Sequence, residues 1–275
     1  MHPTASRQLR HDAWRLARVL LVVACVGVVL WDPVRPAPAI IYERACAVLP
    51  SDPFRAKLMF RMAVADAGGD FPDAQAQLCL IAIRAGDANE VRRLCASLRW
   101  RGAHSESLRR LGYAALGARQ TEPARQAHLE LSRRDGSDSL FGWQGLATLF
   151  SIEKKTDQVV ACLEEITRLA PEDPRPWKQL AAAHEEQHNP AAAAAAYRRA
   201  LEHIVRRRDE IAVRHQLVAR LLDAGELAAA GEEIDRLAAR DDRQERVEPL
   251  RERLKRLLGS AAPAPEKVDA PLYSE

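Results

Sequence analysis

The chain has 275 residues, of which 47% are hydrophobic and 29% charged, so it is long enough for one or two ordinary domains. Its formal net charge is only +3, spread along the length, which argues against a dedicated nucleic-acid surface. Aromatic residues make up 5%, while alanine, leucine, arginine and glutamate are abundant. This composition predicts an all-α fold.

The N-terminal segment predicts a membrane association. Residues 1–15 are basic and precede an apolar stretch over 16–31, and Trp14 and Trp31 bracket that stretch like interfacial anchors. The pattern favours an uncleaved transmembrane helix, with residues 1–15 in the cytoplasm and the rest of the chain outside it. A cleaved signal sequence stays open, because 37–39 reads Ala-Pro-Ala, a small-x-small cleavage pattern. We expect a single-pass protein of a bacterial inner membrane.

Residues 32–71 are predicted to be a linker with leading helices. The stretch 39–50 has the spacing of the second helix of a repeat unit, with Tyr42, Ala45 and Pro50 at the frame positions. A further helix is predicted over 53–67, and the sequence does not indicate which helix it packs against.

The next segment repeats itself with a period of 34 residues, which is typical of a stacked repeat architecture. The matched positions are Trp143 with Trp177, Leu146 with Leu180, and Ala147 with Ala181. Weaker copies flank these two on both sides. The pattern therefore predicts about five helix pairs over 72–243, strongest over 140–173 and 174–207. An amphipathic, charged helix over 244–258 is expected to cap the stack, and 259–275 is expected to be disordered.

The repeat unit resembles the tetratricopeptide repeat family. The residues that carry the resemblance are Trp177, Leu180, Ala181 and His184 in the first helix, then Ala193, Tyr197 and Ala200 in the second. Such a fold is an α-solenoid of antiparallel helix pairs, in which small residues let helices approach and bulky ones pack against the next unit. We therefore expect an α-solenoid preceded by a transmembrane helix.

The resemblance implies a concave groove lined by the first helices, which binds a peptide or a helix of a partner protein. Transferred residue by residue, the family frame places seven residues on that face: Arg109, Tyr113, Gln144, Thr148, Lys178, Ala182 and His215. Ala182 stands where a carboxylate-clamping member would have asparagine, so that specialisation is not expected. The predicted function is a non-catalytic scaffold or assembly factor, with no cofactor and no small-molecule substrate.

Two other patterns carry chemistry. His184-Glu185-Glu186-Gln187-His188 matches the H-E-x-x-H motif of zinc proteases, in which both histidines lie on one helix face and the glutamate is the general base. A zinc-dependent hydrolase is therefore an alternative, although Asn189-Pro190 would end the helix just after His188. Cys79 and Cys95 fall on successive predicted helices, so a disulfide is possible in an oxidising compartment.

Overall fold

The computed structural model describes residues 36–241 and 243–261, and all its regular elements are helices. The predicted membrane segment at 16–31, the basic stretch at 1–15 and most of the tail at 259–275 lie outside these residues. Within the described part, no helix combines the length and apolar character needed to cross a bilayer.

The described chain divides into two compact units, 36–70 and 71–261. The first unit is a helical hairpin of α1, Pro38–Val48, and α2, Pro53–Asp66. The helix predicted at 53–67 therefore packs against the helix that precedes it. Ile41 and Ala45 of α1 are buried in this hairpin together with residues of α2.

The second unit stacks five helix pairs and a terminal helix. The first helices of the pairs are α3 (Pro72–Arg84), α5 (Ser105–Gly117), α7 (Ser137–Ile152), α9 (Pro174–Glu186) and α11 (Arg207–Ala224). The second helices are α4 (Ala88–Ser97), α6 (Thr121–Ser132), α8 (Thr156–Leu169), α10 (Pro190–Glu202) and α12 (Leu227–Arg240). Helix α13, Gln244–Ala261, closes the stack and runs past the end predicted for the cap. This arrangement is an α-solenoid.

The turn between the two helices of every pair contains a residue in the left-handed conformation. Its φ is 72° at Gly86, 56° at Arg119, 57° at Lys154, 55° at His188 and 77° at Gly225. Glycine adopts this conformation freely, whereas a side chain is strained in it. The five pairs therefore share one backbone turn even where the sequence repeat is weak.

Prolines and capping side chains set the starts of several helices. Pro174 and Pro190 occupy the first turns of α9 and α10, where a missing N–H costs no hydrogen bond. Asp173 accepts a hydrogen bond from the Arg175 backbone N–H, and Asn189 accepts one from Ala192. These caps fix both helices of the strongest repeat.

The core runs through the stack rather than around one centre. A single cluster extends from α8 to α13, and its buried members include Leu163, Leu180, Tyr197, Leu217 and Leu250. Each of these side chains comes from a different helix, so successive pairs bury one another. That continuity is how a solenoid is stabilised without a globular core.

Candidate functional site

A cavity of about 990 Å³ opens between α7, α8 and α9. We call it the inner groove. Because α5, α7 and α9 are all first helices and each contributes lining residues, the groove lies on the face where first helices line up. Its lining residues include Tyr113, Gln144, Thr148, Ile152, Lys154, Lys155, Thr156, Val159, Asp173, Arg175, Gln179, Ala182 and Glu186.

The groove combines apolar and amide side chains that face solvent. Tyr113 is 62% exposed and Ile152 is 55% exposed, although both residues are large and mainly apolar. Gln144 and Gln179 add exposed amides, which carry both donors and acceptors. The groove therefore offers apolar contact area together with hydrogen-bonding groups.

The charges around the groove are largely paired among themselves. Lys155 lies 2.7 Å from Glu153, and Arg175 lies 2.8 Å from Asp173. The pKa of Asp173 is lowered because Arg175 donates hydrogen bonds to it from its side chain and backbone. The pKa of Glu153, which lies beside the groove, is lowered first by the Lys155 hydrogen bond and further by Arg125. Asp173 and Glu153 are therefore ionised at neutral pH, and their pairing with basic residues leaves the groove walls without a strong net charge.

Four of the seven predicted groove residues line the cavity. They are Tyr113, Gln144, Thr148 and Ala182, which come from three successive first helices. The ring of Tyr113 is held edge-on against Phe141, with centroids 4.9 Å apart and planes at 84°. The family frame therefore selected residues that the fold brings together, and their contact with a partner stays a prediction.

The other three predicted residues do not line the cavity. The guanidinium of Arg109 pairs with Asp138, and its central carbon lies 5.1 Å from the centre of the Phe141 ring. Lys178 is half-buried on α9. His215 donates from Nε2 to the backbone carbonyl of Arg246 on α13, at 3.2 Å.

Several lining residues have no counterpart in the sequence prediction. Ile152 ends α7, and Lys154 and Lys155 occupy the turn that follows it. Val159 and Thr156 come from the second helix α8. The sequence prediction did not include this wall, because it assigned the groove to first-helix positions of the family frame alone.

The H-E-x-x-H sequence does not form the helical arrangement that zinc proteases use. Helix α9 ends at Glu186, and His188 lies beyond it in the left-handed turn, so the two histidines do not share a helix face. Glu185 accepts a hydrogen bond from the Tyr197 hydroxyl at 3.1 Å and lies 3.4 Å from Arg220. Burial and the charge of Glu185 raise the pKa of Tyr197 to about 12. These contacts make Glu185 part of the packing between α9, α10 and α11.

Cys79 of α3 and Cys95 of α4 face each other as free thiols, with their sulfur atoms 3.8 Å apart. Their hydrogen bond and burial raise the pKa of the Cys79 thiol, and the same hydrogen bond lowers the pKa of Cys95. The fold therefore brings together the two cysteines that the sequence suggested as a pair.

No protein-family model matches the chain, and no curated protein matches it. Among solved structures, the chain from a functional characterization of Pseudomonas aeruginosa pilF is 18% identical in sequence. The two align with a TM-score of 0.42 over 73% of this chain and 91% of that one. A tetratricopeptide repeat protein from Parabacteroides merdae ATCC 43184 is 12% identical, with a TM-score of 0.39, over 90% and 98%. The assembly chaperone of RpL4, Acl4, is 19% identical, with a TM-score of 0.39, over 81% and 97%. At these values the assignment of a solenoid rests on the helix pairs themselves.

Proposed function

We propose that this chain is a non-catalytic scaffold that binds a peptide or a helix of a partner protein in its inner groove. The observation that carries the proposal is the groove between α7, α8 and α9, where Tyr113 and Ile152 stay exposed beside the amides of Gln144 and Gln179. An extended or helical segment can bury the apolar groups while the amides pair with its polar groups. Shape and complementarity, with no reacting group, would then deliver the activity.

The proposal includes a tether to the membrane through residues 16–31, with the solenoid outside the cytoplasm. Two features of the sequence support the tether. Residues 19–31 are uncharged and follow a basic segment, and Trp14 and Trp31 stand near the two ends of the apolar stretch. N-terminal sequencing of the mature protein distinguishes an uncleaved, membrane-tethered chain from a chain whose signal sequence has been removed. A mature chain that begins after residue 39 would replace the tether with a released binding protein and leave the groove proposal intact.

Replacing either of two exposed alanines by arginine tests the groove. Ala182 is exposed on α9 and lines the groove, whereas Ala195 is exposed on α10 outside it. Ala182→Arg places a long charged side chain in the groove, so capture of partner proteins from detergent-solubilised membranes should fall about tenfold or more. Ala195→Arg makes the same change in the same helix pair and should leave capture at the wild-type level.

Thermal unfolding of both variants shows whether the solenoid is intact. Equal capture by Ala182→Arg and the wild type, with both folded, would contradict binding in the groove. An equal loss of partner capture in Ala182→Arg and Ala195→Arg would also contradict it, because the effect would not be specific to the groove.

A further inference from the structure

The hairpin of α1 and α2 uses one face of α2 for its own packing. Ala56, Phe60 and Ala63 are fully buried there, and the ring of Phe60 lies 5.6 Å from that of Tyr42 on α1. These α2 positions are three or four residues apart, so they form one face of the helix. The hairpin therefore needs no further apolar residues on α2.

A second apolar stripe follows the opposite face of α2. Phe54 is 74% exposed, Leu58 is 45% exposed and Met62 is 56% exposed. A spacing of four residues places the three side chains one above the other over about 12 Å of helix. A helix that packs on one side only is normally polar on the other, so this stripe is a surface built to be covered.

Basic residues border the stripe on both sides. At about 3.6 residues per turn, Lys57 and Arg61 fall along one edge of it and Arg55 falls along the other. Asp52, just before the helix, accepts a hydrogen bond from the backbone N–H of Arg55 at 2.9 Å and caps α2. The exposed face of α2 thus combines an apolar centre with cationic edges.

We propose that this face of α2 binds the interfacial region of an anionic lipid bilayer. Apolar side chains enter the boundary between headgroups and acyl chains, and the flanking cations meet the lipid phosphates. A second copy of the chain fits the charges less well, because a facing α2 would bring the same cationic edges together. The lipid contact goes beyond the inner groove, which lies in the other unit of the chain.

The position of the hairpin in the sequence agrees with a lipid partner. The apolar stretch that predicts a membrane helix ends at Trp31, and α1 begins at Pro38. The seven Cα–Cα steps from Trp31 to Pro38 cannot reach further than about 25 Å when fully extended. A chain tethered at 16–31 would hold α2 close to the bilayer surface, where its stripe is covered at little entropic cost.

Photo-cross-linking of the full-length chain in lipid vesicles tests the proposal. The photoreactive residue p-benzoylphenylalanine is placed at position 54, or as a matched control at position 113, where exposed Tyr113 lies in the inner groove. The protein is reconstituted in vesicles of phosphatidylethanolamine and phosphatidylglycerol, irradiated and digested. Mass spectrometry then measures lipid adducts on each labelled peptide. We expect about tenfold more lipid adduct at position 54 than at 113.

Two sets of variants separate the apolar and the electrostatic contributions to the lipid contact of α2. With the photoreactive residue at 54, Leu58→Ser with Met62→Ser should lower the adduct yield about tenfold. Arg55→Glu with Arg61→Glu should lower it by a similar factor in anionic vesicles, and phosphatidylcholine alone should give a low yield with every variant. Circular dichroism checks that each variant keeps the total helix content of the wild type.

Three outcomes would overturn the lipid contact. They are equal adduct yields at 54 and 113, a cross-link from 54 to a second copy of the chain, and a cross-link from 54 to another protein in place of lipid. Each leaves the groove proposal untouched, because partner capture depends on Ala182. Conversely, loss of the groove function would not change the adduct at position 54.

Discussion

His128 makes the stability of the solenoid depend on pH. This side chain of α6 is fully buried and packs between two glycines of neighbouring first helices. A Cβ at Gly112 would lie 2.7 Å from its Nε2, and one at Gly145 would lie 2.1 Å from its Nδ1. Burial lowers the pKa of His128 from 6.5 to about 4, because the charged form is poorly solvated there.

The direction and size of the effect follow from linkage. The folded state binds the proton more weakly than the unfolded state, so the full stability is present above pH 6.5 and is lost as the pH falls toward 4. With these two pKa values, the free energy of unfolding should fall by ~2 kcal/mol between pH 7 and pH 5. The loss approaches ~3 kcal/mol near pH 4.

Urea unfolding of the full-length protein, followed by circular dichroism at the two pH values, measures this loss. His128→Met removes the titrating group and keeps an unbranched, adaptable side chain, so it should lower the pH-dependent loss by ~2 kcal/mol. Leu131→Met, one turn later in the same buried face of α6, is the control and should keep the wild-type pH dependence. Equal pH dependence in His128→Met and the wild type would refute the reasoning.

Three further predictions concern packing, redox state and backbone strain. Gly145→Ala should destabilise the protein by about 1 to 3 kcal/mol in urea unfolding, and by clearly less in a His128→Ala background, because the added methyl group collides with the imidazole. Equal costs in both backgrounds would contradict that cause. Glutathione disulfide should join Cys79 to Cys95, seen as a cross-linked peptide and a gain of about 3 kcal/mol, and Cys95→Ser should abolish both. His188→Gly should raise the unfolding free energy by about 1 kcal/mol, since its φ of 55° strains a side chain; an unchanged or lower value would count against this explanation.

The strongest part of the fold could be predicted because its determinants are local. Leu146 and Leu180 are both buried at matched positions of α7 and α9, and Ala181 is fully buried where the frame requires a small residue. The indole N–H of Trp177 donates to the Pro171 carbonyl at 2.9 Å, which ties the turn before α9 to that helix. A period of this kind specifies which residues face inward before any long-range contact is known.

The groove could be predicted only in part, because its second wall depends on where α7 ends. The family frame selects first-helix positions such as Gln144 and Ala182, which do line the cavity. Lys154 enters the lining through a left-handed turn, and no frame position marks that turn. His215 lies where α13 supplies a carbonyl to its ring, and a repeat frame contains no information on the terminal helix.

The pairing of α2 shows another limit of the sequence pattern. Its two apolar faces, one around Phe60 and one along Phe54 and Met62, obscure the simple amphipathic periodicity of a helix that packs once. Only the structure separates the face used by the hairpin from the face left exposed.

Photo-cross-linking in intact cells tests the central claim, which is that the inner groove holds a partner protein. With p-benzoylphenylalanine at position 144, inside the groove, we predict one discrete protein adduct that disappears in the Ala182→Arg variant. The same residue at position 195, on the exposed face of α10, should give no such adduct. Capture of the same protein in equal yield from 144 and 195, or an adduct at 144 that survives Ala182→Arg, would contradict the account.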